Sequence, residues 1–102
     1  MEAKYPAIVL NPSDNVAVAL TQLKAGSVVR LNLPGRIIEV KVVDDIPFGH
    51  KFAIADIPRC GYVIKYGHVI GRAKRDIRVG EHVHVHNVES LTAVHSVCKG
   101  GS

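Results

Sequence analysis

The sequence has few aromatic residues: three Tyr, two Phe and no Trp in 102 residues. Nearly half of the residues are nevertheless apolar, and Val and Ile are prominent among them. β-Branched side chains favour strands, because the second substituent on Cβ restricts χ1 against a helical turn. The composition therefore predicts one mainly β domain with a modest core, and it argues against a helical bundle.

Two further shortages exclude other classes of protein. No apolar run is long enough for a membrane span, and the N-terminus, where Lys4 and Pro6 come early, has no signal-peptide pattern. Cys60 and Cys98 are the only cysteines; they form no C-x-x-C pair and do not make a disulfide framework. We therefore expect a cytoplasmic protein with reduced cysteines.

The positive charge is also small, at a net +4. Lys and Arg are scattered apart from residues 72–75 (RAKR), and aromatic residues are not interleaved with them. This pattern is a poor match for nucleic-acid binding, so we expect neither a nucleic acid nor a membrane as partner. A small anionic ligand or an acidic partner surface would make use of the same charge.

The most unusual stretch, GEHVHVHN, alternates His82, His84 and His86 with Val83 and Val85. In a strand the imidazoles would share one face and the valines would face the core. Neighbouring imidazoles would start about 6.6 Å apart, so an adjacent pair could chelate an ion, but all three would need a bulge. An exposed strand without a ligand is the alternative interpretation.

A second candidate site is the bend Gly49-His50-Lys51, which would present an imidazole and an ammonium group side by side on a loop. Loops on rigid scaffolds are where binding residues concentrate. Asp44 and Asp45 come just before it, but adjacent residues of a strand face opposite ways, so we interpret them as a solvated turn.

Local patterns predict the first elements of the chain. Residues 7–10 read as a short buried strand, and residues 15–24 as a helix that Ser13 or Asp14 caps and Gly26 ends. Asp14 facing a ligand is the alternative. Residues 27–33 and 36–43 read as a hairpin whose Pro34-Gly35 corner suits a type II turn.

The second half of the chain contains an internal repeat, Ala-x-x-Asp-Ile followed five residues later by Val, with an offset of twenty residues. It predicts two related turn-plus-strand units in which Asp56 and Asp76 stabilise their own turns through backbone N–H groups. Beyond residue 88 the pattern fades. Residues 89–97 would form at most a weak helix, and residues 100–102 a flexible end.

Six motifs in order resemble one family: DNVAVAL (14–20), GHKFA (49–53), VIKYG (63–67), IGxA (70–73), Asp76-Ile77 and GEHVHVHN (80–87). Together they resemble the small subunit, or N-terminal domain, of the altronate/galactarate dehydratase family, with the small subunit of sulfolactate sulfo-lyase as a relative. The resemblance implies a mainly β, SAF-type β-clip fold (type III antifreeze-like) over residues 7–88, with many short strands and one short N-terminal helix. Residues 89–102 would be a tail or linker. One departure is Cys60, which stands where a turn in the family has glycine.

The resemblance also implies dehydration of a sugar acid by a site that a separate large subunit completes. His50, His84 and His86 would be the acid/base groups, and His84 and His86 would also be ligands of a divalent metal ion of the iron or manganese type. That ion would be shared with, or held by, the large subunit.

The resemblance further implies groups that bind the substrate: Lys51, Lys65, Tyr66, Asn87 and Asp14. The isolated chain would be inactive, and a homo-oligomer is left open. Two other functions are left open by the residues. One is a binding module for a sugar acid or metal that performs no chemistry, and the other is a structural domain.

Overall fold

The computed structural model describes residues 5–98, and within that range it contains nine strands and no helix. The strands are β1 (Ala7–Ile8), β2 (Val16–Ala19), β3 (Val28–Leu33), β4 (Arg36–Lys41), β5 (Lys51–Ala53), β6 (Tyr62–Lys65), β7 (His68–Ala73), β8 (His82–Val83) and β9 (Val88–Glu89). The prediction of a mainly β domain is thus confirmed. Over the same residues, no helix is long and apolar enough to cross a membrane.

The strands form three antiparallel sheets. One has the order β1-β2-β5-β8, the second is the β3-β4 hairpin, and the third has the order β6-β7-β9. Two clusters of buried side chains form the core. Phe52, with no exposed surface, belongs to the first, and Val83, equally buried, belongs to the second. β5 contributes Phe52 to the first cluster and Ala53 to the second, so packing on both faces fixes its position and that of β8, which pairs with it.

The predicted hairpin is confirmed. Leu33 pairs with Arg36 across the two-residue corner, and Gly35 has φ of 84°, as the third position of a type II turn requires. Alternate residues of β3 are buried, which matches the period of two of a strand with one face on the core.

The predicted helix at residues 15–24 is wrong. Val16–Ala19 forms β2 between β1 and β5, with Val16 in one core cluster and Ala17 in the other. A strand buried on both faces gives a continuous apolar run, which the spacing alone does not distinguish from a helix. The Asn15 side chain bonds to β6 instead of continuing a helix: it donates to the Tyr62 carbonyl and accepts from the Ile64 N–H.

The internal repeat is present, and it extends further than the sequence indicated. Ile57 pairs with Ile77 in an isolated bridge, and Leu23 pairs with Ile46 in the same way. Three residues after each of these four, the backbone has positive φ: 90° at Gly26, 82° at Gly49, 70° at Cys60 and 91° at Gly80. Cys60 therefore occupies a left-handed position that costs a non-glycine residue roughly 1–2 kcal/mol.

The prediction that the aspartates of the repeat stabilise their own turns is wrong. Each carboxylate instead bonds a backbone N–H of the other turn. Asp56 Oδ1 accepts from the Val79 N–H at 3.0 Å, and Asp76 Oδ1 accepts from the Arg59 N–H at 2.8 Å. Asp45 bonds the Ala25 N–H of the other pair in the same way. The exposed side chains of this motif thus hold two distant turns together.

The end of the chain differs from the prediction in two respects. Residues 91–98 form turns and not a helix. The sulfur atoms of Cys60 and Cys98 are bonded to each other, with their Cα atoms 5.5 Å apart, so the expectation of reduced cysteines does not hold. Glu89 adds to the attachment, since its carboxylate accepts from the Ser96 hydroxyl and from the Val97 N–H. The predicted flexible end, residues 100–102, lies outside the described residues.

Candidate functional site

Pairing of β5 with β8 brings the two candidate motifs together. The register sets Phe52 opposite His82, and the tight turn at Gly49 leads directly into β5. His50, two residues before Phe52, therefore reaches His82: its Nδ1 lies 2.9 Å from Nε2 of His82. One of these two nitrogens carries the proton of a hydrogen bond between the rings.

The strand does not continue through the alternating histidines. β8 ends at Val83, and the chain turns over residues 84–87. Val85 is therefore 72% exposed, and the prediction that it faces the core is wrong. Asn87 holds this turn. It is 1% exposed, its Nδ2 donates to the His82 carbonyl at 2.8 Å, and its Oδ1 accepts from the His84 N–H at 2.9 Å.

The turn gathers four imidazoles, His50, His82, His84 and His86, which we call the histidine cluster. The ring centroid of His50 lies 5.1 Å from that of His82 and 4.4 Å from that of His84, and the ring planes are nearly parallel. His86 contacts the His82 ring at 5.3 Å. His68 and His95 are both exposed and are not members of the cluster.

Crowding in the cluster lowers the pKa of two of its members. For His82 the largest cause is burial, followed by the neighbouring imidazole of His50. The same two causes, in the same order, lower the pKa of His84. Since the usual value is 6.5, both rings are neutral at neutral pH. A neutral imidazole has a free nitrogen lone pair, which accepts a proton or binds a metal.

Lys51 and Lys65 lie beside the cluster. Burial, and to a smaller extent the charge of Lys65, lower the pKa of Lys51, and Lys51 in turn lowers the pKa of His84. The Lys65 ammonium lies 5.2 Å from the centre of the Tyr66 ring. Lys51 and His84 also line one open pocket of about 280 Å³, whose walls come from Val88 and its neighbours.

Two of the predicted binding residues have structural partners. Asp14 is buried, and its carboxylate accepts from the Gly67 N–H at 2.7 Å and from the Asn11 N–H at 3.2 Å. This fixes the corner between β6 and β7. The Asn87 carboxamide is engaged with the turn described above. A role for either residue in binding a substrate stays a prediction, as do the roles of the other predicted site residues.

Sequence reasoning gave no separate role to His82, which makes contact with the other three rings of the cluster. It also missed Asp44, whose carboxylate accepts from the His82 N–H at 2.9 Å and so fixes the start of β8. The alternation treats the three histidines as equivalent. Only the end of the strand at Val83 distinguishes them, and the buried Asn87 four residues later is the signal that marks this end.

The fold and the cluster define a small antiparallel β domain that presents imidazole and ammonium groups at an open pocket. Residues 5–91 match the model of the altronate/galactarate dehydratase SAF domain. The chain belongs to this family, as the six sequence motifs indicated.

Three relatives illustrate the range of the family. The chain is 45% identical over 83 residues to altronate dehydratase of Bacillus subtilis (strain 168), and 43% identical over 83 residues to that of Escherichia coli (strain K12). In each case the match covers 81% of this chain but 16% of the relative. It is also 53% identical over 55 residues to the (2R)-sulfolactate sulfo-lyase subunit alpha of Chromohalobacter salexigens, covering 54% of this chain and 58% of that subunit.

Proposed function

We propose that this chain is the small subunit of a carbon–oxygen hydro-lyase of the altronate/galactarate type. It would act with a separate large subunit to remove water from an aldonic or aldaric acid and give a 2-keto-3-deoxy acid. The observation that carries this proposal is the meeting of four imidazoles in one cluster, with His84 and Lys51 lining the same pocket, in a chain that belongs to this dehydratase family.

The reaction needs a base and an acid on the same substrate. The proton next to the carboxylate is poorly acidic, so a neutral imidazole must accept it while the carboxylate charge is held. Cleavage of the C–O bond then requires a proton on the departing hydroxyl, and the enol product becomes the ketone. His84, neutral and at the pocket wall, suits the base, and His50 or His86 the acid.

The ammonium groups would position the substrate. Lys51 and Lys65 would hold its carboxylate as point charges, and the Tyr66 hydroxyl would bond a substrate hydroxyl. A divalent cation of the iron or manganese type, shared with or held by the large subunit, would bind the carboxylate and stabilise the enolate charge. Of these two ions, the imidazoles of the cluster would suit iron, because nitrogen ligands favour iron over manganese.

The pocket is too open to work alone. About 280 Å³ lies at the lower end of ligand sites, and several of its walls are exposed to solvent. Sites for this chemistry exclude water, so a large subunit would cover the pocket. The share of the altronate dehydratases that the chain matches, 16%, supports a division of the work between two parts. We propose that residues 7–88 form the domain, that residues 89–102 are a tail whose first part is held to it by Glu89 and by the Cys60–Cys98 disulfide, and that the complex acts in the cytoplasm.

A second function is the small subunit of a sulfolactate sulfo-lyase. Its support is the 53% identity to a subunit alpha, of which the match covers more than half. The two functions share proton abstraction but differ in the leaving group, which is water in one and sulfite in the other.

The purified chain, mixed with a large subunit of either enzyme, distinguishes the two functions. We expect a 2-keto-3-deoxy acid from altronate or galactarate, and no product when this chain is omitted or carries both His84→Ala and His86→Ala. Release of sulfite from sulfolactate, without turnover of sugar acids, would favour the second function. Equal turnover with and without this chain would contradict both.

A further inference from the structure

We infer that His50, His82 and His84 form a binding site for one divalent transition-metal ion that is complete within this chain. The fold brings the three rings together, because they come from two separate segments that the β5–β8 pairing joins. The site would bind its metal without a large subunit, and it would use His50 and His84 as ligands in place of the acid and base roles proposed above.

The distances suit one ion. One ring nitrogen from each of the three residues lies within 4.8 Å of the other two, and the His50–His82 pair is 2.9 Å apart. Ligands at about 2.0–2.1 Å around a tetrahedral ion are about 3.3 Å apart. The close pair must therefore open slightly and His84 must approach. Each of the three rings is partly exposed to solvent, so this adjustment does not require a movement of the core.

The ligand set differs from the one that the sequence indicated. The resemblance implies His84 and His86 as the ligands, but the chain turns after Val83 and separates these two residues from a common strand face. The structure replaces His86 with His50 from the other segment and adds His82, while His86 is exposed at the edge of the cluster. Backbone groups are already supported around the ligands, because Asn87 and Asp44 bond the main chain of His82 and His84.

The ligand type selects the metal. Three imidazoles and no carboxylate suit Zn²⁺, Co²⁺, Ni²⁺ or Fe²⁺, whereas Mg²⁺ and Ca²⁺ prefer oxygen. Three protein ligands also leave a fourth tetrahedral position open, as in catalytic metal sites, and the adjoining pocket reaches His84. Lys51 lines the same pocket, so an anionic group bound to the metal would meet a positive charge.

The test is a titration of the untagged, metal-stripped chain with Co²⁺ and Zn²⁺, followed by visible absorption and calorimetry. We expect one ion per chain with micromolar or tighter affinity, a tetrahedral cobalt spectrum, and no binding of Mg²⁺. His50→Ala, His82→Ala and His84→Ala should each weaken Co²⁺ binding by at least about 100-fold, because loss of a ligand costs more than the roughly 10–100-fold that loss of a group supporting a ligand costs. His68→Ala and His95→Ala are the controls and should bind as the unaltered chain does.

Three outcomes would overturn the inference: millimolar affinity only, more than one ion per chain, or a loss with His86→Ala as large as with His82→Ala. Thermal melting without metal shows whether a variant is folded. If an alanine variant does not fold, His82→Cys replaces it, since a thiolate ligand should retain Co²⁺ and add a sulfur-to-cobalt charge-transfer band; its absence also contradicts the site. Failure here would leave the reconstituted dehydratase assay untouched, so the two proposals fail separately.

Discussion

Replacement of Asn87 by alanine should destabilise the domain and disorganise the histidine cluster together. The carboxamide is 1% exposed and makes two hydrogen bonds, to the carbonyl of His82 and from the N–H of His84. Each lost bond leaves a partly buried backbone group without its partner, at about 1–2 kcal/mol for each group. We therefore expect Asn87→Ala to lower the free energy of unfolding by about 2–4 kcal/mol.

The loss is measurable because a domain of this size has a total stability of about 5–15 kcal/mol and should remain folded. Urea unfolding gives the stability, and the imidazole NMR resonances report the cluster. Asn87→Asp keeps the acceptor for His84 but sets a buried carboxylate oxygen against the His82 carbonyl, so it should cost at least as much as Asn87→Ala. Asn32→Ala, at an exposed position of β3, is the control and should stay within about 0.5 kcal/mol. An Asn87→Ala variant with unchanged stability and unchanged imidazole resonances would refute this account of the turn.

Three further predictions follow from the structure. Reduction of the Cys60–Cys98 disulfide by a dithiol removes a constraint that spans 38 residues, so it should lower the free energy of unfolding by about 4 kcal/mol. It should also raise hydrogen exchange in residues 91–98. Cys98→Ser should show both effects without a reductant, and unchanged exchange would argue against the bond. Because the pKa of His82 and of His84 is lowered in the fold, the unfolded chain binds more protons just below pH 6.5, so stability should fall as the pH drops through this value and level off below the folded pKa. Urea unfolding on both sides of pH 6.5 measures this fall, and a smaller pH dependence in His82→Gln confirms its source, whereas an equal one contradicts it. In the reconstituted complex, Lys51→Ala should raise KM for the sugar acid more than it lowers kcat, and an unchanged KM would exclude a contact with the substrate carboxylate.

Much of the fold was predictable because local chemistry determines it. The Pro34-Gly35 corner has one favourable turn geometry, and the alternating pattern on either side gives the register directly. The Asp-Ile repeat was also visible. Its partner pair at Leu23 and Ile46 was not, since the aspartate is missing before Leu23 and only the backbone shows the equivalence.

The errors share a physical cause, which is that tertiary contacts decide what spacing leaves open. The VAVA segment of β2 is buried on both faces, and such a run satisfies a helical pattern as well as a strand. In the histidine stretch the period of two was correct for its first residues only. Which imidazoles meet depends on the buried Asn87 and on His50, which is 32 residues away in sequence from His82. A pairing of that kind follows from the sheet topology, and no local pattern encodes it.

The most direct test of the account is turnover by the complex of this chain with the proposed large subunit, measured for the unaltered chain and for a His50→Ala/His84→Ala variant. If the cluster supplies groups to a site that the large subunit closes, 2-keto-3-deoxy acid formation should be lost while the variant still binds the large subunit and melts as a folded protein. Full turnover by that variant complex would show that these imidazoles take no part in the reaction.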